Sequence, residues 1–326
     1  MTDKNQKSLK QIHRKYASQS LLLGVLAKRV GTFIRSMRKP YPLKSRFDID
    51  NKPIFIIGSG RTGTTLLRSM LVASGQISIP PETQNIHSLA NKFLAYHGLN
   101  WDDLSRLVLA DFESHHNFFM WEINLAPLYQ TIIDLPKENR SLAKIIDSIY
   151  MYYAAEKFPE AKLWGDQSPI YTYHIPHILN VFPNARFVHI LRDGRDVVAS
   201  MVERNGGGYL EEAVYRWKKS IQLIEAYKGG LLKNRIIEFR YEDLVNDPEH
   251  VLRNLTNQID LNFSTLMLDY WKLPSTVEHK HKSFHKNLSK PIFSSSVGRW
   301  KNRLTNAQIE YVEKNLRLEL EATNYL

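Results

Sequence analysis

An α/β protein with a parallel sheet flanked by helices is what this chain predicts, on three observations. Residues 53–58 form a short, continuous apolar run closed by glycine. A Gly-rich turn and a helix-patterned stretch follow at once. Further on, short apolar segments keep alternating with helical ones.

The elements can be taken in order. Pro53-Ile54-Phe55-Ile56-Ile57-Gly58 reads as a strand buried on both faces. Ser59 to Gly63 is the turn, and residues 64–73 carry helical spacing through Leu66, Leu67, Met70 and Leu71. A second strand is expected to end near Ile79-Pro80. Further strands are expected at 162–164, 186–190 and 235–239. Breakers precede the last two, at Pro183-Asn184 and Gly229-Gly230. Residues 86–158 show helical patterns and no clear strand, so they read as a helical insertion where specificity could sit. Residues 262–298 are loop-like. Residues 305–320 read as a helix with Thr305 as N-cap.

Charge divides the chain of 326 residues. Of its 44 Lys and Arg and 33 Asp and Glu, twelve and one lie in residues 1–46, so the remaining 280 residues hold 32 of each and no net charge. The organisation expected is a basic, helical arm over 1–46 and a single domain over 50–326. Within the arm, residues 7–37 have one apolar and one basic face, suited to an anionic membrane surface or to packing on the domain itself. No run reaches the ~18 apolar residues of a spanning helix. The arm is read as retained, which points to a cytoplasmic protein, with peripheral contact at a membrane surface. A neutral body without a nucleic-acid motif excludes nucleic acid as the expected partner. With no cysteine, disulfides, thiolate metal sites and cysteine nucleophiles are excluded.

Gly58-Ser59-Gly60-Arg61-Thr62-Gly63-Thr64-Thr65 has the glycine spacing of a loop that cradles phosphates with backbone N–H groups at a helix N-terminus. Thr64 stands where a nucleoside-triphosphate loop has lysine, and a cation lies inside the loop at Arg61. A second segment, residues 186–204, delivers Arg192 at the end of a strand. It then presents Ser200 and Arg204 one helical turn apart, a pattern suited to a second phosphate. Phe239-Arg240-Tyr241-Glu242-Asp243-Leu244 and Ser294-Ser295-Ser296-Val297-Gly298-Arg299-Trp300-Lys301 follow in order.

Together these segments resemble the sulfotransferases that use 3′-phosphoadenosine 5′-phosphosulfate (PAPS), in particular the tyrosylprotein-sulfotransferase branch and its bacterial relatives. The resemblance implies a P-loop-type sheet and transfer of a sulfuryl group to an acceptor hydroxyl, without a metal. It assigns Ser59, Gly60, Arg61, Thr62, Gly63, Thr64 and Thr65 to the 5′-phosphosulfate, and Arg192, Ser200 and Arg204 to the 3′-phosphate. Tyr241 is placed near the nucleotide. Ser296, Arg299, Trp300 and Lys301 are placed on a closing loop, with the tryptophan stacked on adenine. Arg61 and Glu82 are the expected catalytic residues, Glu82 in Pro80-Pro81-Glu82-Thr83 being the base. His189 and His87 are weaker alternatives for that base. One position departs from the pattern. Trp164-Gly165-Asp166-Gln167-Ser168-Pro169 carries Gln167 where the family has lysine, with Lys162 as a candidate to compensate. Competing readings are a P-loop kinase and a PAPS-binding homologue without turnover. The run His279-Lys280-His281-Lys282, with His285-Lys286, reads as a solvated basic loop near the nucleotide mouth.

Overall fold

The structure is a computed structural model and describes residues 41–45, 52–230, 232, 235–272 and 288–326. The expected helix over 7–37 and the His/Lys run at 279–286 lie outside the described residues.

Five parallel strands form one sheet: β1 (Ile54–Ile57), β2 (Ile77–Ser78), β3 (Leu163–Gln167), β4 (Arg186–Leu191) and β5 (Ile236–Arg240), in the order β2-β3-β1-β4-β5. In the register of the central strands, Ile56 stands beside Gln167 on one side and Val188 on the other. The helices in chain order are α1 (Thr64–Val72), α2 (Ile86–Ala95), α3 (Trp101–Glu113), α4 (Leu128–Ile133), α5 (Leu142–Lys157), α6 (Ile175–Val181), α7 (Gly194–Asn205), α8 (Leu210–Lys228), α9 (Tyr241–Asn246), α10 (Pro248–Gln258), α11 (Trp300–Arg303) and α12 (Asn306–Ala322).

β1 explains the layering. All four of its residues are fully buried, because alternate side chains enter different cores. Phe55 and Ile57 join Trp164, Phe187 and the insertion helices α2–α5. Ile54 and Ile56 join Val188, Ile190 and residues of α1, α9 and α10 on the other face. Burial on this scale stabilises by roughly 1.5–3 kcal/mol per large apolar side chain. A third cluster packs α7, α8 and α12 against Leu191.

Capping fixes where helices begin. Asn100, Ser141 and Asp193 each accept a backbone N–H from the first turn of α3, α5 and α7. Thr305 and Gln308 form a reciprocal capping box at α12, as Thr305 led one to expect. Residues 86–158 are helical throughout their regular elements, as expected of the insertion. Two expectations shift. β3 runs to Gln167, because its polar end is buried against partners from other elements. The chain at 41–43 docks on the domain: Pro42 and Leu43 carbonyls accept N–H bonds from Leu142 and Ala143, satisfying donors at the start of α5.

Candidate active site

In an open parallel sheet, ligands bind beyond the carboxyl ends of the strands, where the chain switches direction across the sheet. β1 occupies that position here, flanked by β3 and β4. The turn from Gly58 to Gly63 therefore opens into the crevice. Thr172 ties its first residue down, accepting from Gly58 N at 3.1 Å and donating to Gly58 O at 2.9 Å. Gly63 has φ near 100°, and a Cβ there would stand 2.6 Å from the Tyr241 ring, so both conformation and space demand glycine. Arg61 also has positive φ, 58°. For a residue with a side chain that is a strained backbone, a state found where structure serves function.

Two cavities meet at this loop. The first, about 180 Å³, is bounded by Arg61, Gly63, Thr64, Thr65, Arg192, Ser200, Tyr241, Ser296 and Arg299, with Tyr270, Ile292 and Phe293 as an apolar wall. The second, about 430 Å³, is bounded by Gly60, Arg61, Thr64, Thr65, Glu82, Gln167, Arg204 and Arg216. Arg61, Thr64 and Thr65 line both. A larger cleft of about 1020 Å³ along β5 and α10 holds none of the expected site residues.

The first cavity is built around guanidinium groups. Arg192 is nearly buried where β4 ends. It donates to Arg61 O and Ser296 O, each at 2.8 Å, and lies over the Tyr241 ring at 4.2 Å. Tyr241 and Ser296 share a hydroxyl bond of 2.7 Å. Arg61 Nε donates to Ser200 Oγ at 3.1 Å. Burial, then the nearby charges of Arg204 and Arg192, lower the Arg61 pKa. Asp196 and Glu203 also line this space, but the guanidinium groups of Arg61, Arg192, Arg299 and Arg303 outnumber them, and that surplus of cations suits an anion. One buried polar atom here, Arg192 Nε, makes no hydrogen bond within the protein. The donor set fits a ligand with two phosphate-type groups.

The second cavity holds the carboxylate. Arg68, a buried arginine on α1, donates from Nε to the carbonyls of Ile79 and Pro80 at 2.8 and 3.1 Å. Trp121 Nε1 donates to Pro81 O at 2.8 Å, and Asn117 Nδ2 to Glu82 O at 3.0 Å. Three clamps thus fix the backbone that carries Glu82, and Ser168 Oγ and Gln84 Nε2 donate to its Oε1. Below it, Asp166 accepts the hydroxyls of Tyr171 and Tyr150 at 2.6 and 2.7 Å and the Gln167 backbone N–H. Burial pushes the Asp166 carboxyl up to about 6, against the hydrogen bonds that favour its charge.

Nine of the expected nucleotide residues line the first cavity, and six do not: Ser59, Gly60, Thr62, Arg204, Trp300 and Lys301. Arg204 lines the second cavity, although it is one turn beyond Ser200. Trp300 lines neither: Asp196 holds its backbone N–H at 2.9 Å, and Arg195 covers its ring at 4.3 Å against the α7–α8–α12 cluster. Its exposed neighbour Lys301 lines neither as well. Ser59 and Thr62 are buried beneath the loop. Gln167 is buried and donates from Nε2 to Thr64 Oγ1 at 3.0 Å. Lys162 does not compensate for it. It is exposed before the first residue of β3, five residues and ~16 Å of strand away. His189 is a buried strand residue, its Nδ1 2.7 Å from Glu238 Oε2. His87 stacks on His174 with centroids 4.0 Å apart. Neither histidine lines either cavity.

Sequence reasoning missed Arg68, Asn117, Trp121 and Arg216. Arg68 had a signal, a charge within the apolar stripe of α1. The others reach the site only through tertiary packing. Among the described residues, no group of three or more His, Asp and Glu is placed to hold a metal ion.

Residues 53–265 match the model of the sulfotransferase family, and the chain belongs to that family. It is 28% identical over 260 residues to omega-hydroxy-beta-dihydromenaquinone-9 sulfotransferase Stf3 of Mycobacterium bovis, covering 65% of this chain and 64% of that protein. It is 23% identical over 265 residues to protein-tyrosine sulfotransferase 2 of Gallus gallus, covering 78% of this chain and 64% of that protein. The chain thus spans somewhat less than two thirds of these relatives. Its fold is similar to the sulfotransferase domain of the Synechococcus PCC 7002 olefin synthase, with TM-score 0.57, 22% identity, and coverage of 83% of this chain and 97% of that one.

Proposed function

We propose that this protein transfers a sulfuryl group from PAPS to an acceptor hydroxyl. The observation that carries the reading is the meeting of two cavities at one loop. One is cationic, the other holds a fixed carboxylate, and Arg61, Thr64 and Thr65 line both. The domain that does this work extends over 50–326, with the basic arm before it.

In this reading the first cavity takes the donor. The loop from Ser59 to Thr65 and α1 hold the 5′-phosphosulfate, and Arg192 and Ser200 hold the 3′-phosphate. Tyr241, Ser296 and Arg299 close the space, and Phe293 and Tyr270 offer the adenine a wall in place of Trp300. Transfer runs in line, like phosphoryl transfer, and depends mainly on positioning and charge. The acceptor oxygen forms a bond to sulfur while the bond from sulfur to the bridging oxygen breaks. Glu82 takes the hydroxyl proton, and adenosine 3′,5′-bisphosphate leaves. Arg61, at the junction, stabilises charge on the sulfonate and leaving phosphate. Gln167 donates a neutral hydrogen bond to Thr64, at the position where the pattern that the sequence resembles has lysine. That observation favours one second reading, a homologue that binds PAPS without turnover.

We place the reaction in the cytoplasm, with the basic arm available to an anionic membrane surface. Among the described residues no helix is long and apolar enough to cross a membrane.

Radiosulfate-labelled PAPS, incubated with the protein and a panel of phenols, alcohols and sugars, tests the reading. Label on an acceptor, lost in Arg61→Ala, is the expected result. Bisphosphate binding with no labelled acceptor and no label lost to water would favour the binding-only homologue.

A further inference from the structure

The second cavity has a character that the reaction alone does not require. We propose that the acceptor is a small hydroxylated compound carrying a carboxylate or phosphate, which Arg216 receives. This rests on the sulfotransferase reading above and deepens it.

Arg216 lines the second cavity and not the first, so the donor does not account for it. It projects from α8, near the start of that helix, while Glu82 enters from the segment after β2. A group held by Arg216 and a hydroxyl presented to Glu82 would therefore belong to one molecule lying across the cavity. The guanidinium is held in place. Tyr209 Oη accepts from Nη1 at 2.8 Å, and Tyr173 Oη donates to the Arg216 carbonyl at 2.9 Å. A pre-positioned guanidinium fork suits a planar carboxylate or a phosphate, with N–H donors left beyond the one that Tyr209 uses. Arg204 borders the same space, so the potential there is positive from two sides.

The rest of the lining agrees. Gln84, Asn117, Asn205 and Tyr209 present amides and a hydroxyl, while the apolar part is limited to Pro169, Ile170 and Met201. A long isoprenoid acceptor would strip water from the remaining N–H donors of Arg216 and offer them no acceptor. A polar, charged acceptor pairs with them. Discrimination of this kind is strong because it works through unmet hydrogen bonds.

Two matched pairs of acceptors test this: 4-hydroxyphenylacetate against 4-methylphenol, and 6-hydroxyhexanoate against 1-hexanol. Within each pair the molecules differ mainly in the carboxylate. Sulfation with PAPS is measured as kcat/KM for the unaltered protein and for Arg216→Gln. The expected result is a preference of ~10- to 100-fold for the acid in at least one pair, reduced several-fold or more in Arg216→Gln because the acid's rate falls more than the neutral partner's. Equal rates within both pairs would overturn the inference while leaving sulfuryl transfer intact. A preference that persists in Arg216→Gln would overturn the role of Arg216. No sulfation of any of the four, with adenosine 3′,5′-bisphosphate still bound, would overturn the inference together with the claim of turnover. A thermal melt of Arg216→Gln, expected to match the unaltered protein within a few degrees, separates a binding effect from loss of fold.

Discussion

The donor and acceptor sides of the crevice are built by different rules. The first cavity, the proposed donor side, is made largely of short segments that each follow a strand, closed by residues 292–299. The Gly58–Thr65 loop leaves β1, Arg192 ends β4, and Tyr241 begins the helix after β5. Each segment brings several functional atoms in one piece. The acceptor side is assembled from distant parts: Glu82 after β2, Asn117 from the insertion, Gln167 at the end of β3, and Arg204 and Arg216 on successive helices. No short segment contains it. On the proposed reading, the donor is held mainly by segments that follow strands, and the acceptor by side chains that the fold gathers from afar.

Substitutions can break or sharpen this contrast. The largest effect is expected from Glu82→Gln, which keeps the shape and the bond from Ser168 but removes the base. Its transfer rate should fall by ~10²–10⁴-fold, with bisphosphate affinity unchanged, as single-turnover kinetics and calorimetry would show. A loss of nucleotide affinity would mean that the two sides are not separable.

Asp166→Asn probes the floor under the acceptor side. The folded Asp166 carboxyl titrates at about 6, above its ordinary value of 3.8. Between those values the native state holds more protons than the unfolded one, so this group's contribution to stability falls as pH rises from about 4 to 6. The stability of the unaltered protein relative to Asp166→Asn should therefore decline across that window, by roughly 3 kcal/mol, in urea unfolding. A pH-independent difference would show that Asp166 is not a raised carboxyl.

Gln167→Lys restores the family's cation beside Thr64 and should speed transfer about tenfold, a gain smaller than the 10²–10³-fold measured when an oxyanion donor is lost. The smallest change is expected on the donor side's outer support. Tyr325 donates to Glu242 Oε2 at 2.7 Å, and Glu242 Oε1 accepts from Asp193 N at 3.1 Å, tying the chain's end to the neighbours of Tyr241 and Arg192. Tyr325→Phe should lower stability by about 1 kcal/mol in thermal melts and leave acceptor preference untouched.

The contrast also governs what the sequence made legible. β1 was plain because its residues are buried on both faces and therefore uniformly apolar. The bounds of β4 and β5 were right to within a residue, although β5 at the sheet edge is only half-buried and carries Glu238 and Arg240. β3 was only half seen. Gly165, Asp166 and Gln167 are poor strand formers, and their place in the sheet depends on Tyr150 and Tyr171, which no local pattern announces. Arg192, Ser200 and Tyr241 could be placed because spacing along a strand and a helix fixes them. Trp300 could not: it opens α11, where Asp196 and Arg195 turn the ring toward another core. Arg204 shows the limit of helical spacing. One turn from Ser200 was correct, and the long side chain borders the other cavity.

The central claim is a donor site for a 3′-phosphorylated adenosine nucleotide. Its most direct test is calorimetric titration of adenosine 3′,5′-bisphosphate into the purified protein, with ATP and Mg²⁺ as the rival ligand and Arg192→Ala as the control. The account predicts clear binding of the bisphosphate, weakened ~10- to 100-fold by Arg192→Ala, and little binding of ATP. ATP bound more tightly than the bisphosphate, or a bisphosphate affinity indifferent to Arg192, would contradict it and return the kinase to the lead.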